Sequence, residues 1–264
     1  MGMFTKIPSN TFDGLQLDAG VLLTSFDPAN PALVDANIIC ATTGGINPQC
    51  IPTYSDLGED VDNCPNNMME LKKLEGWDCK ISTTCIGVSP AAIKLALGAA
   101  DVAGKRVVPR RDVVQADFQT IWWVGDRADG GFVAIQLTNA LSTGGFSLQT
   151  TKNGKGQVTL EITGHVSLSA QNVVPMQFYS ADPIEYTITN TLTKCTNSNP
   201  ATKAVKGHSY LAALTPDTGY AFAANAVTVT MGGTTITTTA YDDGIIRIDE
   251  VTGAIVITAT ATAV

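Results

Sequence analysis

The sequence predicts a mainly β protein: a β-sandwich or barrel-forming domain with one short flanking α-helix, followed by a small all-β domain. Three observations carry this. The composition is 44% hydrophobic and 15% charged with 24 glycines, which suits an ordered chain punctuated by turns and excludes disorder. Short segments of alternating polarity recur from residue 117 onward, each bounded by Gly, Asn or Asp. Only one stretch carries the start signals of a helix.

Taken in order, residues 1–37 form an extended arm with strand character in "LQLDAGVLLTSFDPANPALVDANI", broken by Asp27-Pro28 and Asn30-Pro31. "IICATTGGI" reads as a strand or strand end, with Gly44-Gly45 giving a turn or a close backbone approach. The acidic loop "SDLGEDVDNCPNN" follows. "NNMMELKKLEGWDCKISTTCIGV" begins as a short irregular turn and becomes a strand with Cys79, Ile81 and Thr83 on one face. "SPAAIKLALGAADV" is the helix: Ser89 caps it, Pro90 takes the first position, and Ile93, Leu95, Ala96 and Leu97 supply the apolar stripe.

"FQTIWWVGD", "GGFVAIQLTNAL", "GFSLQTT" and "QVTLEITGHVSL" then read as successive hairpin strands, joined by "DRADGG", "STGG" and "KNGKG". A boundary falls in "YSADPIEY", so that residues 1–182 form the first domain and 183–264 the second. The second domain shows the strands "IEYTITNTL", "AVTVTM", "GTTITTTAY", "GIIRIDEV" and "AIVITATATA" and no convincing helix.

Charge narrows the function. The net charge is −8, with 12 basic and 18 acidic side chains in residues 1–182 and 4 and 6 in 183–264. Both parts are acidic, which argues against gripping nucleic acid through its phosphates. The start "MGMFTKIPSNTF" lacks a signal-peptide pattern and fits myristoylation poorly, and no segment approaches the roughly 18 uninterrupted apolar residues of a membrane helix. The expectation is a cytosolic product with no membrane partner.

No nucleophile–base pair, phosphate loop, dinucleotide turn or metal helix shows its spacing, so neither a catalytic residue nor a cofactor is expected. His165 and His208 fall in different domains without a supporting motif. The acidic loop fails the calcium pattern: counted from Asp60, Cys64 stands at a ligand position and Pro65 at the glycine position. A cation site built from Glu59, Asp60 and Asp62 stays open beside a solvated or partner-facing loop. The six cysteines include no C-x-x-C and, in a reducing cytosol, are expected to be free small hydrophobes rather than a disulfide framework. A paired structural role stays open for Cys79 and Cys85, which share a face if "CKISTTC" is a strand. Adjacent Trp122 and Trp123 must point to opposite faces of their strand. One fills a core and the other needs a loop, a subunit or a ligand over it, so Trp122 and Trp123 are both subunit-interface candidates.

The succession "TFDGLQLDAGVLLTSFDP", "TGGI", "DLGEDVDNCPNNMMELKKLEGWD", "GAADV", "DFQTIWWVGDRADGGFVAIQLTNALSTGGFSLQT" and "KGQVTLEITGHVSL", over roughly residues 1–180, resembles the major tail tube protein of long-tailed bacteriophages. The resemblance implies a β-sandwich whose inner strands close across six subunits into a barrel, with hexameric rings stacked into a tube. It also implies a tape measure protein, a tail terminator and distal tail proteins as partners, and DNA crossing the lumen without specific binding. The location implied is the virion tail, with synthesis in the host bacterial cytoplasm. "GYAFAANAVTVTMGGTTITTTAYDDGIIRIDEVTGAIVITA" resembles the immunoglobulin-like modules that decorate such tubes, which implies a flexible, non-contractile tail. In this frame the acidic loop with Glu59, Asp60 and Asp62 is expected to reach an adjacent subunit or the ring above, where Lys72, Lys73, Arg110 or Arg111 receive it. A carbohydrate-binding or adhesive surface protein is the alternative of a different class. An acid/base hydrolase using the loop carboxylates lacks a second motif to place its substrate.

Overall fold

A computed structural model describes residues 7, 8, 11, 12 and 14–264; the remaining positions, including most of the start of the expected arm, lie outside the described residues. The chain is mainly β, and it divides into two compact units. One comprises Leu15–Arg127 with Phe132–Ala181, and the other is built on Asp182–Val264 with Ala128–Gly131.

The first unit contains β1 (Gln16–Leu23), β2 (Thr42–Asp56), β3 (Lys72–Cys85), α1 (Pro90–Leu97), β4 (Ala100–Ala103), β5 (Arg106–Pro109), β6 (Gln119–Arg127), β7 (Phe132–Ser142), β8 (Leu148–Gln149), β9 (Gln157–Gly164) and β10 (Met176–Ala181). Its main sheet runs β1-β6-β7-β9-β3-β2, with β10 added beside β7 and β8 beside β9, all antiparallel. β9 alternates strictly: Val158, Leu160 and Ile162 are buried while Gln157, Thr159 and Glu161 face outward. One core gathers Leu22, Cys79, Ile81, Ile121, Trp123, Leu137, Ile162 and Met176 from six strands, so the sheet curls over its own inner face.

α1 forms where the sequence places it. The Ser89 hydroxyl accepts the Ala92 N–H at 3.1 Å, Pro90 occupies the first turn, and Gly98 ends the helix at φ 71°. Its deepest residues are Ala92 and Ala96 rather than the larger side chains of the expected stripe. Small residues let the helix lie close on β9, with Ala96 packed beside Cys85, Val158 and Leu160.

Three expectations are corrected. β2 does not stop at Gly44-Gly45 but runs on through Pro48 and Pro52 into the segment expected to be loop. It is the terminal strand of the sheet, where a residue without an N–H costs no ladder bond on the open side. The glycine pair, at φ 76° and 86°, is a bulge inside β2 that sends the Gly45 carbonyl to the buried Thr83 hydroxyl, which donates to it at 2.8 Å. "GFSLQTT" contributes only the two residues of β8. The cysteines are not all free: Cys40 and Cys85 are joined by a disulfide that closes the end of β3 onto the segment before β2.

The second unit contains β11 (Glu185–Thr193), β12 (Cys195–Asn197), β13 (Lys203–Val205), β14 (Tyr210–Pro216), β15 (Tyr220–Met231), β16 (Thr234–Thr235), α2 (Thr237–Ala240), β17 (Tyr241–Asp242), β18 (Ile245–Ile248) and β19 (Ile255–Ala263). A five-stranded sheet, β13-β11-β19-β15-β16, and a four-stranded sheet, β12-β14-β18-β17, share one core. Val229, Ile255, Ile257 and Ala259 enter it from the first sheet, and Tyr210, Leu214, Ile246 and Ile248 from the second. β11 runs parallel to β19. "GTTITTTAY", expected as a strand, instead turns through α2. There the Thr237 hydroxyl accepts the Val229 N–H at 2.9 Å and Ala240 is buried, so tertiary contacts override a β-branched run.

Candidate assembly interface

β2 and β3 form the longest hairpin of the chain, and only its root belongs to the sheet. β3 pairs with β9 from Lys80 to Cys85; from Lys72 to Cys79 the ladder is with β2 alone. The outer half is thus a two-stranded ribbon, a form that is marginal in water by itself. Its directly opposed pairs include Pro52 with Trp77 and Tyr54 with Leu74. Tyr54 is 58% exposed, Leu74 44% and Trp77 39%. Apolar cross-strand pairs of this kind stabilise a ribbon but leave an apolar strip facing outward.

The tip is ordered by Asp56. One of its carboxylate oxygens accepts the Gly58 N–H at 3.1 Å and the other accepts the Asn67 N–H at 2.9 Å. These backbone donors, with Lys72 at 3.5 Å, hold the Asp56 carboxyl below its ordinary range. Ser55 donates to Glu75 at 2.6 Å, and Lys73 pairs with Glu75 at 3.1 Å, so Glu75 too is held low. Sequence reasoning passed over Asp56 because an aspartate at a strand end looks like any turn residue. The signal was its place at the start of a loop whose two ends must meet.

Glu59, Asp60 and Asp62 are exposed around the tip, and their carboxylates do not gather: no group of three His, Cys, Asp or Glu able to hold a metal occurs among the described residues. Of the expected basic receivers, Lys72 and Lys73 are engaged within the ribbon itself. Arg110 is engaged too, pairing with Asp101 at 2.8 Å and with buried Asp117, whose other oxygen accepts the Val114 N–H at 2.9 Å. Arg111 is exposed.

The tryptophans separate as adjacency requires, but neither is left for a partner, and both drop out as interface candidates. Trp123 enters the inner core, and its indole N–H donates to the Ala19 carbonyl at 3.0 Å. The bulge of β1 is shaped around it: at Gly20, φ 68°, a Cβ would lie 2.8 Å from the indole nitrogen. Trp122 lies on the other face and is covered by Phe26 of the arm, 5.7 Å between ring centroids, and by Tyr179 of β10, 5.5 Å. Of the covers expected for the second tryptophan, the chain's own arm supplies one in Phe26.

His165 is structural, with its backbone N–H donating to Asn139 and its ring set edge-on to Phe118. A shallow depression of about 350 Å³ at the glycine bulge is lined by Thr43–Asn47, Ser82–Thr84 and Thr159. It offers hydroxyls and backbone groups but no acid, base or thiol, so it can hydrogen-bond a ligand and cannot transfer a proton at neutral pH. Among the described residues, no helix is long and apolar enough to cross a membrane. Comparison with the known protein families and with the curated proteins gives no match to this chain.

Proposed function

We propose that this chain is the self-assembling subunit of a phage-type tail tube, a structural protein rather than an enzyme. Six copies form a ring and rings stack into a conduit through which DNA passes without specific binding. The observation that carries this reading is the β2–β3 ribbon: it leaves the sheet, exposes Tyr54, Leu74 and Trp77, and bears an internally fastened tip. Such a ribbon gains stability from a neighbour's surface, and a second copy of the same chain supplies one in every ring.

Two further features support it. The main sheet ends in β2 on one side and in β1 on the other, where residues 37–39 of the same chain already bond the Leu22–Thr24 end, and closing sheets across subunits satisfies the edge that is left. The outward face of β9 and β3 is polar, with Ser82 opposite Glu161 and Thr84 opposite Thr159. Lining a bore with hydroxyls and carboxylates rather than a basic stripe lets a polyanion slide. The Asp182–Val264 unit, a two-sheet sandwich, serves in this proposal as an immunoglobulin-like decoration on the tube exterior of a non-contractile tail.

Sedimentation velocity of the purified chain over a range of concentrations tests the proposal. Hexamers and larger stacks that dissociate when Tyr54, Leu74 and Trp77 are replaced by serine are the expected result. A chain that stays monomeric at every concentration would contradict it.

A further inference from the structure

β3 carries two cysteines on its buried face, Cys79 and Cys85, and each meets another cysteine, one in β2 and one in the segment before it. Cys85 is bonded to Cys40. Cys79 lies directly opposite Cys50 in the β2–β3 register, with the two sulfurs 3.4 Å apart. Cys79 is fully buried and Cys50 partly so. The next residue, Lys80, is where pairing with β9 begins, so the thiol pair sits at the root of the projecting ribbon. No third metal-ligating side chain joins it among the described residues.

We propose that Cys50 and Cys79 are a cross-link site: oxidation joins them in a second disulfide that ties the two strands of the ribbon together at its base. The inference rests on register and sulfur separation and does not depend on the tail-tube reading. The co-reactant is a small-molecule disulfide such as oxidised glutathione. The Cys50 thiolate attacks one sulfur of the reagent, the reagent's S–S bond breaks, and one glutathione thiolate leaves. Cys79 then loses its proton and attacks the Cys50 sulfur of the mixed disulfide, expelling the second glutathione thiolate. Two protein thiols are oxidised to one disulfide, the reagent is reduced to two thiols, and the two protein protons end on the released glutathiones.

The order of the steps follows from access. Cys50 is the sulfur a solute can reach. Burial, followed by the neighbouring Cys50 thiol, pushes Cys79 up to about 12, so its thiolate is scarce at neutral pH and the second step quickens as pH rises.

The test uses the full chain with Cys64→Ser, because Cys64 is partly exposed and would otherwise take up reagent. Three free thiols then remain: Cys50, Cys79 and Cys195. The folded protein is incubated with oxidised glutathione at about pH 8, where thiolate attack proceeds. Thiols are titrated after denaturation, and linked peptides are mapped by mass spectrometry. The expected result is a loss of two thiols and a Cys50–Cys79 linked peptide. Adding Cys79→Ala should arrest the reaction at a Cys50–glutathione mixed disulfide, and adding Cys50→Ser should leave Cys79 unmodified. Retention of all three thiols would overturn the proposal. So would a lasting Cys50–glutathione adduct with Cys79 still free, or linkage of either cysteine to Cys40 or Cys85.

Discussion

Asp117 fastens the segment after β5 through two unlike partners, the Val114 N–H and the Arg110 guanidinium, which together hold its carboxyl below the ordinary 3.8. A carboxyl depressed on folding adds stability that is complete above 3.8 and is lost as pH falls below it toward the folded value. Asp56 follows the same sign. Asp117→Asn should therefore lower the urea midpoint at neutral pH and flatten its fall on acidification; an unchanged acid limb would show that the carboxylate does not govern it. At Gly20 a side chain would meet both the Val124 carbonyl and the Trp123 indole in a left-handed conformation. Gly20→Ala should cost at least about 1–3 kcal/mol by urea denaturation. Trp122→Ala should cost about 3–5 kcal/mol, since Phe26, Phe132 and Tyr179 close around it.

The elements show what is readable in a sequence and what is not. The strand face of Cys79, Ile81 and Thr83, the alternation of β9, the capped helix and the opposed tryptophans all follow from local periodicity and are all present. What local pattern does not hold is partner identity. Pro48 and Pro52 suggest loop until β2 is seen to be a terminal strand. "TTTA" suggests strand until Thr237 is seen bonded to Val229. Cys40 finds Cys85 across 45 residues, and nothing near Phe26 announces that it covers Trp122. The candidate interface was legible in its acidic loop but not in the ribbon beneath it, because the exposed strip joins residues of two strands. Charge reversal of Glu59, Asp60 and Asp62 to lysine should weaken ring stacking while leaving the fold intact; unchanged stacking would remove the loop from the interface and leave the apolar strip alone.

At the scale of the molecule, the chain combines a curled sheet that ends in β1 and β2, a ribbon that projects from it, and a two-sheet sandwich with its own core. The Asp182–Val264 unit has a core of its own, and the decoration role proposed for it gives it no part in a tube wall. Removing residues 183–264 should leave assembly in place and make the tubes thinner and smoother; loss of assembly would put that unit in the wall. Whether the chain builds a tube from copies of itself is decided by negative-stain electron microscopy of the purified protein. Rings or tubes of regular width with a central bore are the predicted result, and a field of discrete single particles at every concentration would contradict it.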